Sequence, residues 1–125
     1  VKTNVEPTQP PQEYYEYEGY TLPVHSETVI SIREPGDQET FELHISIDYI
    51  NEKEKIEKQM QETYKILQSK FGEAFANKVI TYIKQKTDRM TGFEDKTFIE
   101  QGKIIKVYGG AGELVTTILI HKQGV

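Results

Sequence analysis

The chain has 125 residues, with 15 basic and 20 acidic side chains and a net charge of −5. This length suits one domain with a single core, and the acidic balance argues against nucleic-acid binding, because no Lys/Arg cluster lacks interspersed acids. Cysteine is absent, which excludes disulfides, thiolate-bound zinc and a thiol nucleophile.

The N-terminal residues 1–12 are rich in Pro, Gln and Thr, a composition that is typical of an extended linker. Residues 13–20 differ, because four tyrosines alternate with acids there: Tyr14, Tyr15, Tyr17 and Tyr20. Tyr offers a large contact area with a polar tip, so this segment is either an edge strand over the core or an arm that contacts another molecule. We therefore expect a linker or docking segment at residues 1–20 and a single domain at residues 21–125.

A β-hairpin is predicted next. Residues 27–33 are rich in β-branched side chains, and residues 34–38 (Glu-Pro-Gly-Asp-Gln) supply turn chemistry. The following strand alternates strictly, with Phe41, Leu43, Ile45, Ile47 and Tyr49 on one face and Glu42, His44, Ser46 and Asp48 on the other. The apolar members should face the core.

A helix is predicted after this strand. Asn51 and Glu54 stand in a capping-box-like relation. An apolar stripe then runs at three- and four-residue spacing: Ile56, Met60, Tyr64, Leu67, Phe71, Phe75, Val79, Tyr82 and Ile83. Because the stripe keeps its phase past Gly72, we predict one long or slightly bent helix to about Thr87. About 36 helical residues would span roughly 54 Å, more than a small sheet covers, so another molecule should cover the far end.

The C-terminal third predicts a short helix followed by a hairpin. Thr91 and Glu94 form a second capping-box pattern, which Gly102 would close. Residues 103–108 and 114–121 are two strand patterns around a glycine loop. That loop is interpreted as a tight turn, since neither a helix nor a Lys follows it as phosphate binding would require. The terminal hairpin could pair with the strand at Thr40 or with the one at Glu27.

Together these elements predict an α+β domain. We expect an antiparallel sheet of about four strands, in the order β-β-α-α-β-β, packed on one long or slightly bent helix. An extended Pro/Tyr-rich segment should precede it.

No catalytic centre is evident in the sequence. His44, Ser46 and Asp48 share a strand face, but alternation alone explains them, and no metal-ligand spacing accompanies them. We therefore predict a non-enzymatic protein with no catalytic residue, cofactor or metal site. The candidate interaction residues are aromatic: Tyr14, Tyr15, Tyr17, Tyr20, Phe71, Phe75 and Tyr82. For those on the helix, core packing is the alternative interpretation.

The order of elements resembles the extracytoplasmic domain of the FliL family of flagellar basal-body-associated proteins. The likeness is carried by Glu27-Thr-Val-Ile-Ser-Ile-Arg-Glu-Pro-Gly36, by Phe41-Glu-Leu-His-Ile-Ser-Ile-Asp48 and by Gln101-Gly-Lys-Ile-Ile-Lys-Val-Tyr108. The chain departs from that family where its helix runs on through Gly72 and where glycines interrupt the terminal strand region. These are patterns of alternation and turn placement.

The resemblance implies a membrane-anchored bacterial protein whose extracytoplasmic domain self-assembles and supports the stator units of the flagellar motor, without enzymatic activity. Its partners would be further copies, stator proteins or other envelope proteins. Since the sequence starts at Val1 without an initiator Met, we expect an N-terminal anchor in a longer gene product. The alternative is a small lipoprotein-type domain that binds a ligand or partner between helix and sheet.

Overall fold

The computed structural model describes residues 14–24, 28–32 and 41–122. They form two helices and antiparallel sheets, which confirms the predicted α+β class. The elements are β1 (Tyr14–Tyr17), β2 (Tyr20–Pro23), β3 (Val29–Ile32), β4 (Phe41–Asp48), α1 (Lys53–Phe71), α2 (Glu73–Ile83), β5 (Phe93–Glu100), β6 (Lys103–Gly109) and β7 (Val115–Lys122). The predicted linker and the turn at residues 34–38 lie outside the described residues.

Five strands form the main sheet in the order β3-β4-β7-β6-β5, and every neighbouring pair is antiparallel. The predicted hairpins β3–β4 and β6–β7 are both present. β7 lies along β4, with Leu43 opposite Ile120 and Asp48 opposite Val115. The terminal hairpin therefore pairs with the alternating strand β4. β4 is an interior strand of the sheet, because β3 and β7 flank it.

The short helix predicted between Thr91 and Gly102 is wrong, since this segment is strand β5. β5 and β6 are joined by the two residues Gln101 and Gly102, whose φ angles are 51° and 77°. Two consecutive positive φ values are the mark of a type I′ hairpin turn, whose twist matches that of paired strands. Gly102 is a turn residue, and the sheet gains a fifth strand.

The single long helix is also wrong. Gly72 has φ 95° and ψ 167°, a conformation that is essentially restricted to glycine, so α1 ends before it and α2 begins after it. The two helices are about 28 Å and 16 Å long at 1.5 Å per residue. They pack against each other. We expected another molecule to cover the far end of one helix that was longer than the sheet. No such long helix is present in the described residues.

The predicted capping box at the start of α1 does not form. Lys53 begins the helix, and Glu52 at the N-cap position makes no side-chain cap. The chain turns instead at Asp48, whose Oδ1 accepts a hydrogen bond of 3.1 Å from the Ile50 backbone N–H. This Asx turn leads from β4 into α1.

The core lies between the helices and one face of the sheet. Leu43, Ile45 and Ile47 are fully buried, as the alternation predicts. A series of aromatic rings in edge or tilted contact crosses the core, with centroid distances from 5.0 to 6.0 Å: Tyr20, Phe71, Phe75, Phe98, Tyr82 and Phe93. Such contacts add to the stabilisation that burial alone provides.

β1 and β2 form a separate hairpin on the C-terminal half of α1. The Thr21 backbone N–H donates to Ser69 Oγ at 2.8 Å, and Lys70 Nζ donates to the Glu18 carbonyl at 2.6 Å. Tyr20 and Leu22 are fully buried, so β2 contributes to the core. The domain boundary expected at residue 20 falls inside this strand.

Candidate functional site: a groove along α1

Two adjoining clefts, of about 530 and 650 Å³, run along α1, and both are lined by Glu57, Met60 and Lys84. Because the two clefts share these residues, we describe them together as the α1 groove. Its apolar floor consists of Tyr49, Ile56, Met60, Tyr64 and Ile80. Its exposed charged rim consists of Lys53, Glu57, Lys65, Lys84 and Asp88.

The floor exists because α1 turns a different face to the sheet from the one that the apolar stripe predicts. Ile56, Met60 and Tyr64 are only partly buried. Gln59 and Thr63 are buried instead, together with Ile66 and Leu67. Core packing was the default interpretation of the stripe, with a partner-binding face as the alternative, and only its C-terminal part is core.

Hydrogen bonds make this orientation of α1 possible. Gln59 Oε1 accepts the Asp48 backbone N–H at 3.0 Å, and the Thr63 hydroxyl donates to the Gln59 carbonyl at 2.8 Å. Buried polar groups are tolerated when they are hydrogen-bonded in this way. Hydrophobic periodicity carries no signal for such a buried polar pair, so the sequence did not predict this orientation of α1.

Lys86 is a buried residue that lines one end of the groove. Its side chain is only 1% exposed, and Nζ donates to the carbonyl oxygens of Asp88 (3.0 Å), Thr91 (2.8 Å) and Gly110 (3.1 Å). Burial lowers the pKa of Lys86, and the charges of Asp88 and Glu113 oppose that shift. The ammonium joins the loop after α2 to the β6–β7 loop, so its role is structural.

The loop after α2 is held by a reciprocal turn. Asp88 Oδ1 accepts the backbone N–H groups of Met90 (2.8 Å) and Thr91 (3.0 Å), and Thr91 Oγ1 accepts that of Thr87 (2.8 Å). These backbone donors hold the pKa of Asp88 below its usual value. Thr91 therefore closes a turn, and the helix start predicted at Thr91 and Glu94 is absent.

The rim charges are available for a partner. Within the described part of the chain, the side chains of Lys53, Glu57, Lys65 and Lys84 have no hydrogen-bond or ion-pair partner. With three cations against two anions, Glu57 and Asp88, the rim carries a net charge of +1 on a chain whose net charge is −5. An occupant with apolar and acidic groups would complement both rim and floor.

The structure separates the seven aromatic candidates into two groups. Tyr20 is fully buried, Phe71 and Phe75 are each 6% exposed, and Tyr17 and Tyr82 pack against the core. Only Tyr14 (42%) and Tyr15 (41%) are largely exposed. None of the seven lines the α1 groove.

The other face of the sheet carries the polar residues of β4. His44, Ser46 and Asp48 are half-buried there, and burial lowers the pKa of His44. Across residues 14–24, 28–32 and 41–122 no group of His, Cys, Asp or Glu side chains is placed to hold a metal ion. In the same residues, neither helix has the length and apolarity needed to cross a membrane.

Comparison with known proteins found no matching family model, curated protein or solved structure. The resemblance to the FliL family stays a prediction from sequence patterns.

Proposed function

We propose that this chain is a non-enzymatic docking domain of the bacterial cell envelope, in which the α1 groove receives a protein segment. The observation that carries the proposal is the combination of an open apolar floor with rim charges that lack partners in the described chain. Both features are typical of a surface that a second molecule covers.

The shape of the groove favours an extended segment over a compact ligand. Along α1 it reaches from Lys53 to Gln68, which is about 24 Å at 1.5 Å per residue. Met60 and Tyr64 lie near the middle of that length. Aromatic and methionine side chains are enriched at the centres of protein interfaces, where they supply most of the binding energy.

The cellular setting that we propose follows the resemblance to the FliL family. It is a membrane-anchored protein whose extracytoplasmic domain assembles beside the flagellar stator, with stator or other envelope proteins as partners. The alternating strand from Phe41 to Asp48 and the Gly102-Lys-Ile-Ile-Lys-Val-Tyr108 segment support this setting.

A small-molecule function is the second candidate. Cleft volumes of about 530 and 650 Å³ fall within the usual range of ligand pockets, which is roughly 300–1,000 Å³. A lipoprotein-type domain could hold a long-chain anionic ligand on this floor, with its head group against Lys84.

Site-specific photo-crosslinking in cells separates the two candidates. A photoreactive residue at Gln61, which lines the groove, should crosslink to a protein, and one at the exposed Glu94 on β5 should not. A crosslink to a lipid or metabolite would favour the ligand-binding alternative. Equal or absent protein crosslinking at both positions would contradict the docking function.

A further inference from the structure

We infer that the segment received by the α1 groove is the β1–β2 hairpin of a second copy of this chain, so that copies join head to tail. This inference rests on the proposed docking function and names its occupant. It is argued from two surfaces of the same molecule that complement each other in apolarity and charge.

The hairpin presents apolar rings among acids. Tyr14 and Tyr15 are 42% and 41% exposed, and Glu16 and Glu18 are exposed beside them. Exposed tyrosines are suited to docking, because each ring gives a large contact area for the loss of few rotatable bonds. Among the described residues β1 pairs with β2 alone.

The groove presents the opposite charges around an apolar floor. Lys65 and Lys84 stand on its rim without ion-pair partners in the described residues, and Met60 and Tyr64 form its floor. Since consecutive strand residues point to opposite faces of the hairpin, one tyrosine ring would cover the floor, and with Tyr14 as that ring Glu16 on the same face would meet the lysines. Such charge complementarity fixes the orientation of a complex and suppresses other pairings.

The hairpin cannot reach the groove of its own molecule. Ser69 and Lys70 hold it at the last turn of α1 through the Thr21 N–H and the Glu18 carbonyl. Tyr20 anchors it further, with its ring 6.0 Å from that of Phe71 in the core. The occupant must therefore come from a second copy, and the hairpin is already ordered for docking, which reduces the entropic cost of association.

A contact between two different surfaces leaves one free hairpin and one free groove at the ends of every assembly. Such heterologous contacts close into rings or grow into filaments. A two-fold dimer through the groove alone would bring the lysine rims of both copies together, which like-charge repulsion disfavours.

Analytical ultracentrifugation of two variants and their mixture tests this arrangement. Lys65→Glu/Lys84→Glu removes the groove charges, and Tyr14→Ser/Tyr15→Ser removes the hairpin rings, so each variant alone should associate at least tenfold more weakly than wild type. Mixed together, they should form a 1:1 dimer and nothing larger, because one intact groove meets one intact hairpin. Added salt should weaken association of the wild type.

Lys58→Glu/Lys106→Glu is the matched control, because it makes the same change in net charge at positions that do not line the groove. It should leave association unchanged. A wild type that stays monomeric, or a mixture that stays monomeric while both variants keep the wild-type circular dichroism, overturns the inference. If Gln61 still crosslinks to a different protein, the docking function survives and only its occupant is wrong.

Discussion

The rings of Phe71 and Phe75 lie 5.0 Å apart across the break at Gly72. The last residue of α1 thus packs against the first turn of α2, and both rings are buried. The corner between the helices is therefore part of the core. It also brings Ile80 of α2, and Lys84 directly after α2, alongside Met60 and Tyr64 of α1, which creates the groove.

Replacing Gly72 should test how far this corner depends on its backbone angles. Gly72→Ala has open space for its methyl group, so any cost comes from φ 95° and ψ 167° alone. Such strain costs about 1–3 kcal/mol for a residue with a side chain. Urea unfolding should show that loss, while Glu73→Ala, an exposed neighbour, should change stability by less than about 0.5 kcal/mol. A stabilised Gly72→Ala would instead indicate a continuous helix.

Two of the errors in the sequence-based fold, the single long helix and the short helix after Thr91, have one physical cause. The apolar stripe continues in phase from Phe71 to Phe75, so periodicity alone favours one helix. Hydrophobic periodicity contains no information on backbone angles, so it does not predict the positive φ of Gly72. At Gln101 and Gly102 the same property makes a hairpin turn where a helix end was expected. Strand β4 was predictable because its alternation reports burial directly.

The orientation of α1, which decides where the groove lies, could not be predicted from the sequence for a different reason. Which face of α1 meets the sheet depends on the hydrogen bond between Gln59 and the Asp48 N–H, a contact between residues on different elements. Once that face is fixed, Met60 and Tyr64 must lie at the edge of the core. Tyr14 and Tyr15, in contrast, were selected from sequence and are the exposed members of their set.

Truncation of Phe75 should lower the free energy of unfolding much more than truncation of Tyr14. Phe75 is 6% exposed and contacts the rings of Phe71 and Phe98, so Phe75→Ala should cost about 3–5 kcal/mol of unfolding free energy. Tyr14→Ala should cost less than about 0.5 kcal/mol, because its ring is 42% exposed. Thermal and urea unfolding measure both. Similar losses for the two variants would contradict the division into core and exposed aromatics.

Gly92 should tolerate no side chain. A Cβ there would overlap backbone atoms of Gly110 and Ala111, where the loop after α2 meets the β6–β7 loop. Since backbone cannot yield as a flexible side chain does, Gly92→Ala should destabilise the fold by about 1–3 kcal/mol. Gly110→Ala is the matched control, because the nearest atom to its Cβ is 3.9 Å away. Equal melting temperatures for the two variants would show that the loops are not in close contact.

Lys86 should contribute to the stability of the fold through the hydrogen bonds of its ammonium group. Lys86→Met keeps most of the apolar stem but leaves partly buried carbonyl oxygens, among them those of Thr91 and Gly110, without their donor. A fully buried unsatisfied acceptor costs about 1–3 kcal/mol, so chemical denaturation should show a loss of up to that size. Lys84→Met, at an exposed position two residues away, should have little effect on stability. A neutral Lys86→Met would mean that the stem alone holds the loops together.

The turn at Asp88 should make stability depend on acid pH. Its folded-state pKa is lowered, first by the Met90 and Thr91 N–H groups, so the unfolded state binds more protons as pH falls below the ordinary value of 3.8. The stabilisation from Asp88 is therefore complete above that value and is lost as pH falls through the lower, folded-state pKa.

Asp88→Ala should be less stable than wild type at neutral pH, and the two urea-unfolding curves should converge below about pH 4. Asp95→Ala, an exposed carboxylate outside this turn, controls for net charge. A wild type and an Asp88→Ala variant that lose stability in parallel down to the lowest pH would show that the carboxylate does not hold the turn.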